Sequence, residues 1–281
     1  MIDSIRANYM RMFRCRSFYL LLIASFLTPI YLMREVVGHV AFYEKSFIIQ
    51  VSDLNYVLLL LIAANSYIYP VFLAFYIGQE IRDRGWARKI STGTGKVKVY
   101  LSQVLTLIPV ALLTLSLNII SLFAFCHLTK GKFRYTWNWT NVRYIIFLIV
   151  WVIAMVLFNC LLQSCFSIRI FSLIISLMLT STVISLDEAV MAKLYEPYRV
   201  QFTDNLTGEE FWDINPDYIS GGKRKVYTFL SDINPYTFVY DYTENGKNTD
   251  KQFRTQFLSA VTLSSVSTAL GSFIFRRKDF K

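Results

Sequence analysis

The chain has 281 residues, of which 54% are hydrophobic and only 17% are charged, and its formal net charge is +10. A soluble domain usually carries about 25% charged residues, so this composition argues against a soluble protein and indicates a polytopic membrane protein. The charges are bunched between long apolar runs, which is typical of membrane proteins and argues against a nucleic-acid partner.

The N-terminal segment, residues 1–16, is predicted to form an amphipathic helix at the membrane interface. Its apolar residues recur every three or four positions, and a basic face lies opposite them, as in interfacial helices. The arginines of this face are Arg6, Arg11, Arg14 and Arg16. The apolar run that follows, 18–33, lacks a small-residue cleavage site and predicts an uncleaved first transmembrane helix.

Five further apolar runs predict transmembrane helices at 56–78, 99–128, 142–166, 170–186 and 257–275. Each is near the roughly 20 residues that cross about 30 Å of hydrocarbon as a helix. Helices are favoured because unpaired backbone groups are not tolerated in lipid. The predicted fold class is an all-α polytopic membrane protein with about six spans in a single transmembrane domain, 1–281.

The centres of the spans contain neutral amides but almost no charged residues. The amides are Asn65, Asn118, Asn159 and Gln163, and they either line a translocation path or form hydrogen bonds between helices. The lack of buried ionisable groups indicates that any transport takes its energy from outside the chain. In the last span, small residues at four-residue steps, such as Ser267 and Gly271, predict close helix packing.

Basic residues are most frequent in the two termini and in segment 79–98, which predicts that these segments face the cytoplasm. The basic residues of the longer segment 189–253 are not used to assign the orientation, because long loops cross membranes regardless of charge. With both termini in the cytoplasm and six spans, this segment is predicted to be extracellular. Its many aromatic residues and its turn residues predict a small cap of short helices or irregular structure rather than a disordered linker.

Segment 79–98 is predicted to form a short charged helix and a turn outside the membrane. Glu80 and Arg84 have the spacing of a helical ion pair, and Gly93 and Gly95 mark the turn. The segment is either a solvated loop that fixes topology or a binding surface for a partner. The candidate binding residues are Glu80, Arg82, Asp83, Arg84, Gly85, Trp86, Arg88 and Lys89.

The run Glu-Ile-Arg-Asp-Arg-Gly-Trp-Ala-Arg-Lys-Ile at 80–90, followed by Val-Tyr-Leu-Ser-Gln at 99–103, resembles the permeases of type-2 ATP-binding-cassette (ABC) exporters. The order of elements over the whole chain resembles those permeases too, particularly the bacterial peptide and lantibiotic-immunity kind. The resemblance implies that segment 79–98 is a coupling helix resting on a separate ATPase. One departure is Gln103, where members of the family often have Lys, so no role carries over to that position.

The resemblance further implies a permease subunit of the bacterial cytoplasmic membrane, paired with a second copy or a paralogous permease and with an ATPase dimer. Membrane lipid is a further partner, and the implied substrate is an amphipathic or antimicrobial peptide. The chain is expected to hold no catalytic residue, and no metal, because its two histidines and four cysteines lack the spacing of metal ligands. It is also expected to hold no cofactor and no ATP site, because its Ser-Thr-Gly-Thr-Gly-Lys run fails the phosphate-loop pattern. ATP and Mg²⁺ would then bind to the ATPase. Two alternatives are a secondary carrier of a small amphipathic solute and a membrane sensor or scaffold whose outer segment binds a ligand.

Overall fold

The computed structural model describes residues 1–43, 52–128, 139–166, 168–203, 210–237 and 250–278. The helices in these ranges are α1 (Ile2–Arg14), α2 (Arg16–Tyr43), α3 (Ser52–Arg82), α4 (Gly85–Ser91), α5 (Lys96–Leu128), α6 (Trp139–Cys165), α7 (Arg169–Tyr195), α8 (Gly221–Ile233) and α9 (Asp250–Arg277). A two-stranded antiparallel sheet consists of β1 (Arg199–Thr203) and β2 (Glu210–Ile214).

Six of these helices are long and apolar enough to cross a membrane. The segments that meet this condition are Arg16–Glu35, Val57–Arg82, Lys96–Leu128, Asn141–Cys165, Ile170–Tyr195 and Asp250–Arg277. The chain is therefore a largely α-helical, membrane-embedded protein, as its composition predicts.

The first compact unit consists of Met1–Thr180 and Phe257–Lys281. In it, α3 packs against α2 and α6, and α5 packs against α1, α2 and α6. The hydroxyl of Tyr69 on α3 forms a 2.5 Å hydrogen bond with the hydroxyl of Thr114 on α5, and both residues are buried. Between helices in lipid, such hydrogen bonds and close packing replace the hydrophobic effect as the main attraction.

Helix α9 joins this unit through its small residues, as their four-residue spacing predicts. The hydroxyl of Tyr100 on α5 donates a hydrogen bond to the carbonyl of Ser267 at 3.5 Å. Gly271, one turn further along, lies against the Tyr100 ring so closely that a Cβ atom would overlap with it. The absence of a side chain at position 271 thus allows the two helices to pack.

The second compact unit, Ser181–Gln256, contains the β1–β2 hairpin and α8. Arg199 pairs with Ile214 at one end of the hairpin, and Thr203 pairs with Glu210 at the other. The prediction of helices or irregular structure is therefore wrong for these strands. Strands of five residues in an aromatic-rich segment give too short an alternation to be distinguished from a loop. Residues 204–209 and 238–249 of the predicted outer segment lie outside the described residues.

Polar contacts hold the second unit together. The side-chain amide of Gln256 donates hydrogen bonds to the carbonyls of Ser231, Asp232 and Asn234, at 3.2, 2.9 and 2.6 Å. The hydroxyl of Thr237 donates to the buried carboxylate of Asp187 at 2.6 Å. This part of the chain is therefore folded and is not a simple linker.

We predict that Gly271→Ala destabilises the protein by about 1–3 kcal/mol, the usual cost of inserting a methyl group into a full site. The measurement is thermal unfolding of the purified protein in detergent. Gly222→Ala is the control, since nothing lies within 4 Å of a Cβ atom there. An equal effect of the two substitutions would contradict the packing of Gly271 on Tyr100.

Candidate functional site

A tight turn lies between α3 and α4. Helix α3 continues to Arg82, Asp83 and Arg84 form the turn, and α4 begins at Gly85. Arg84 has a φ of 53°, a left-handed conformation that costs a non-glycine residue about 1–2 kcal/mol. The prediction of one short helix within segment 79–98 is thus wrong in its boundary, because residues 79–82 belong to the last turn of α3 and a separate helix begins at Gly85.

The carboxylate of Glu80 is buried and has two cationic partners. It forms an ion pair with Arg11 of α1, and Nζ of Lys89 on α4 lies 2.9 Å from its Oε1 atom. Burial makes both partners necessary, since an unpaired buried charge is strongly unfavourable. Within the described residues, Glu80 therefore pairs with Arg11 and Lys89 and not with Arg84, which is exposed.

Asn8 extends this cluster from α1 to α5. It is fully buried, and its Oδ1 atom accepts a hydrogen bond from Nζ of Lys89 at 2.5 Å. Its Nδ2 atom lies 3.4 Å from the hydroxyls of Ser102 and Thr106 on α5, while its backbone carbonyl accepts a bond from the hydroxyl of Tyr76 at 3.2 Å. We refer to Asn8, Arg11, Glu80 and Lys89 as the clamp, because they join α1, α3, α4 and α5.

Asn8 was not among the residues that the sequence suggested. The sequence does contain a pattern that points to Asn8, because this residue falls between Ile5 and Met12 on the apolar stripe of α1. A polar residue on such a stripe needs a hydrogen-bond partner when the stripe is buried. Tyr76 also contacts the clamp, since the Arg11 guanidinium lies 4.7 Å from the centroid of its ring. The sequence contains no signal for Tyr76, because it lies inside the apolar run 56–78.

Gly85 and Trp86 hold α4 in place. A Cβ atom at Gly85 would lie 2.6 Å from Oε1 of Glu80, so any other residue here would displace the Glu80 carboxylate. Trp86 is 3% exposed, and its ring meets that of Phe275 on α9 edge to face at 4.8 Å. The side chains of Glu80 and Trp86 are therefore not on the outer surface of this chain, and their role in binding a partner stays a prediction.

The exposed part of this region is strongly basic. Around the turn, Arg82, Asp83, Arg84 and Arg88 are exposed, and the guanidinium of Arg88 donates to the carbonyl of Asp83 at 2.6 Å. The ends of α5, α6 and α9 lie at the same end of the bundle, since Lys96 binds the carbonyl of Lys278 and Lys278 binds that of Ser164, each at 2.7 Å. The exposed cations here, called the basic surface below, are Arg6, Arg14, Arg16, Arg82, Arg84, Arg88, Lys98, Arg276 and Arg277.

The four amides predicted within the spans are at most 1% exposed. Asn118 on α5 donates to the side chain of Asn65 on α3 at 3.3 Å, and Gln163 on α6 accepts a 2.5 Å hydrogen bond from Ser172 on α7. Asn159 donates to the carbonyl of its own helix at Met155, at 2.8 Å. Asn65, Asn118 and Gln163 thus form hydrogen bonds between helices. This is one of the two roles predicted for the amides, the other being to line a translocation path.

An apolar groove of about 500 Å³ runs between α2 and α3, with Arg16 at one end. Its walls are formed by Leu20, Leu21 and Ala24 on α2, and by Tyr67, Ile68, Val71, Phe72 and Phe75 on α3. The volume lies in the range of about 300–1,000 Å³ that is usual for ligand sites. The groove combines an apolar wall with a single cation at its end.

Comparisons with protein-family models, with curated proteins and with solved structures found no match to this chain. Among the described residues, no three His, Cys, Asp or Glu side chains come together as metal ligands do.

The clamp makes stability depend on pH through Lys89. Desolvation by burial and the positive charge of Arg11 lower the pKa of Lys89 from 10.5 to about 8. Between these two values, the unfolded chain binds the proton more than the folded protein does, so stability rises with pH.

We predict that the unfolding midpoint of the natural protein rises with pH, relative to that of Lys89→Met, between pH 8 and pH 10.5. Thermal unfolding in detergent at several pH values measures the difference. Lys98→Met, which changes an exposed lysine, should follow the natural protein through this window. A difference between the natural protein and Lys89→Met that stays flat or falls would contradict the prediction.

Proposed function

We propose that the chain is the transmembrane permease subunit of an ATP-driven exporter of the ABC type in the bacterial cytoplasmic membrane. The observation that carries the proposal is an exposed basic turn, Arg82 to Arg88, attached to several helices by buried contacts. A loop that only fixes membrane topology needs its charges in water but needs no such attachment. A surface that receives mechanical force from a partner needs exposed charges to bind the partner and buried contacts to transmit the force.

In this proposal, both termini and α4 face the cytoplasm, where a dimeric ATPase rests on Arg82, Asp83, Arg84 and Arg88. Movement of α4 then reaches α1 and α3 through the clamp. It reaches α9 through the contact between Trp86 and Phe275. ATP and Mg²⁺ bind to the ATPase, whose own groups carry out phosphoryl transfer.

The translocation path is proposed to lie between this permease and a second copy or a paralogous permease. Asn65, Asn118, Asn159 and Gln163 are candidates for its lining. Because they are buried in this structure, they reach the path only when α3, α5 and α6 shift relative to one another. That shift is the step for which the force on α4 is proposed to be used.

The proposed substrate is an amphipathic or antimicrobial peptide that is moved out of the cell or the membrane. The groove between α2 and α3 supports an amphipathic ligand, since it offers an apolar wall beside the charge of Arg16. Its volume suits an apolar side-chain cluster or an acyl chain rather than a whole folded peptide.

We predict that Arg82→Glu together with Arg84→Glu weakens association with the ATPase at least about tenfold. The two glutamates would face the acidic groups of the ATPase that the arginines are proposed to bind, and like charges repel. Co-purification with an ABC-type ATPase subunit produced in the same cells, and ATP-dependent peptide flux in vesicles, are the two measurements. Arg199→Glu with Arg254→Glu is the matched control, because it changes the same net charge at exposed positions of the second unit.

Unchanged association together with unchanged coupled flux in the Arg82/Arg84 variant would remove the basis of the proposal. Flux in vesicles that contain the chain without any ATPase, and that stops when the proton gradient is dissipated, would indicate a secondary carrier instead. Ligand binding to the second unit with no flux under either condition would indicate a sensor or scaffold.

A further inference from the structure

The groove between α2 and α3 is nearly as deep as one leaflet of a membrane. Its lining on α2 lies between Arg16 and Ala24, and its lining on α3 lies between Tyr67 and Phe75. Each of these stretches covers eight residue steps, which is about 12 Å along a helix. Half of a hydrocarbon core that is about 30 Å thick is about 15 Å. The length of the groove therefore suits an acyl chain that extends from the edge of the membrane towards its middle.

Both walls of the groove belong to helices that are long and apolar enough to cross a membrane. The α2 segment that meets this condition begins at Arg16, and the α3 segment, Val57–Arg82, contains every lining residue of α3. On the two walls, Leu20 and Val71 are 65% and 41% exposed. The hydrocarbon core holds no water for such side chains to face. The groove therefore opens towards acyl chains.

The end of the groove at Arg16 lies at the boundary of the membrane. Helix α1, which precedes it, has 13 residues, too few to cross a bilayer, but it exposes apolar residues such as Met10 and Phe13, as interfacial helices do. Tyr19, one turn after Arg16, is exposed and donates a hydrogen bond from its hydroxyl to the carbonyl of Phe13 at 2.9 Å. Tyrosines are enriched at the level of the headgroups. Arg16 is therefore placed where a phospholipid carries its charge.

Arg16 is the polar group that this end of the groove offers to a ligand. Its side chain is exposed, and among the described residues no carboxylate forms an ion pair with it. The hydroxyl of Ser17 is already engaged, since it forms a 2.9 Å hydrogen bond with Sγ of Cys15. Arg14, the last residue of α1, is a second exposed cation two positions away. These charges complement an anion, and a guanidinium suits phosphate because it can donate two parallel hydrogen bonds.

We propose that the groove between α2 and α3 is a binding site for one anionic phospholipid. An acyl chain lies between Leu20 and Val71, and the headgroup phosphate binds Arg16, with the charge of Arg14 beside it. A second copy of the chain is disfavoured as the occupant. Two copies in one membrane have the same orientation, so a contact through this face would bring their arginines to the same level, where like charges repel.

The inference goes beyond the proposed function, because a phospholipid binds here without an ATPase and without transport. It concerns the groove that the proposed function offers to an amphipathic substrate, and it names the molecule that occupies the groove when no substrate is present. The test therefore uses the chain without ATPase or peptide, and its failure would leave the proposed function standing.

The test uses the full chain with the photoreactive amino acid p-benzoylphenylalanine in place of Val71 or, in a separate variant, of Leu105. Leu105 on α5 is the matched control, because it is 42% exposed on another spanning helix and does not line the groove. The protein is reconstituted in vesicles of equal parts phosphatidylglycerol, which is anionic, and phosphatidylcholine, which has no net charge. After irradiation, the masses of the protein and its adducts are measured.

The expected result is a mass increase of one phospholipid at position 71, with several-fold more phosphatidylglycerol than phosphatidylcholine in the adducts. At position 105, the two lipids should appear in the proportion of the vesicles. Crosslinking of two chains at position 71 would assign the groove to a second copy and overturn the inference, as would the absence of any lipid adduct there. The same proportion of the two lipids at both positions would indicate ordinary solvation by the membrane and would overturn it too.

The substitution Arg16→Gln tests the contact with the headgroup. It removes the charge but keeps a polar side chain, so the two lipids in the adducts at position 71 should approach the proportion of the vesicles. Arg276→Gln is the matched control, since Arg276 is an exposed arginine at the end of another spanning helix, α9, and it should keep the enrichment. Undiminished enrichment in Arg16→Gln, or an equal loss in both variants, would overturn the assignment of the phosphate to Arg16.

Discussion

The buried charge of Glu80 is the constraint on which the described arrangement of α1, α3, α4 and α5 depends. A carboxylate without exposure to water requires cationic partners, and its partners come from two other helices, Arg11 on α1 and Lys89 on α4. The close approach of Gly85 and the left-handed Arg84 follow from the same requirement, since both bring the start of α4 back onto the carboxylate. Moving α1 away would remove Arg11 from the buried carboxylate, and moving α4 away would remove Lys89.

Helix α4 has seven residues, too few to be stable as an isolated helix in water. Its stability must come from its anchors, which are the clamp on one side and the ring of Phe275 against Trp86 on the other. This explains why a short, highly charged segment has a fixed structure. Two groups of residues that are adjacent in sequence therefore differ in the structure, since the residues that position α4 are buried and the arginines proposed to bind a partner are exposed.

The apolar runs predicted the six spans to within a few residues at several ends, because length and hydropathy determine whether a helix can cross lipid. The break after Arg82 was not predictable, since the spacing of Glu80 and Arg84 would fit an unbroken helix equally well. For α8, the periodicity of Val226 to Ile233 reveals an amphipathic helix but not which side faces the protein. That side is fixed by Gln256, which donates to the carbonyls of Ser231, Asp232 and Asn234, 22 to 25 residues away in sequence.

The central claim is that the charge of Glu80 holds α1 on α4, and amide hydrogen exchange of the protein in lipid nanodiscs tests it most directly. Glu80→Gln keeps the shape of the side chain and removes its charge, and Asp83→Asn is the matched change of an exposed acid. The account predicts roughly ten- to hundredfold faster exchange of the α1 amides in Glu80→Gln, as when a buried charge loses its partner, and no change in Asp83→Asn. Exchange of α1 at the same rate in Glu80→Gln as in the natural protein would contradict it.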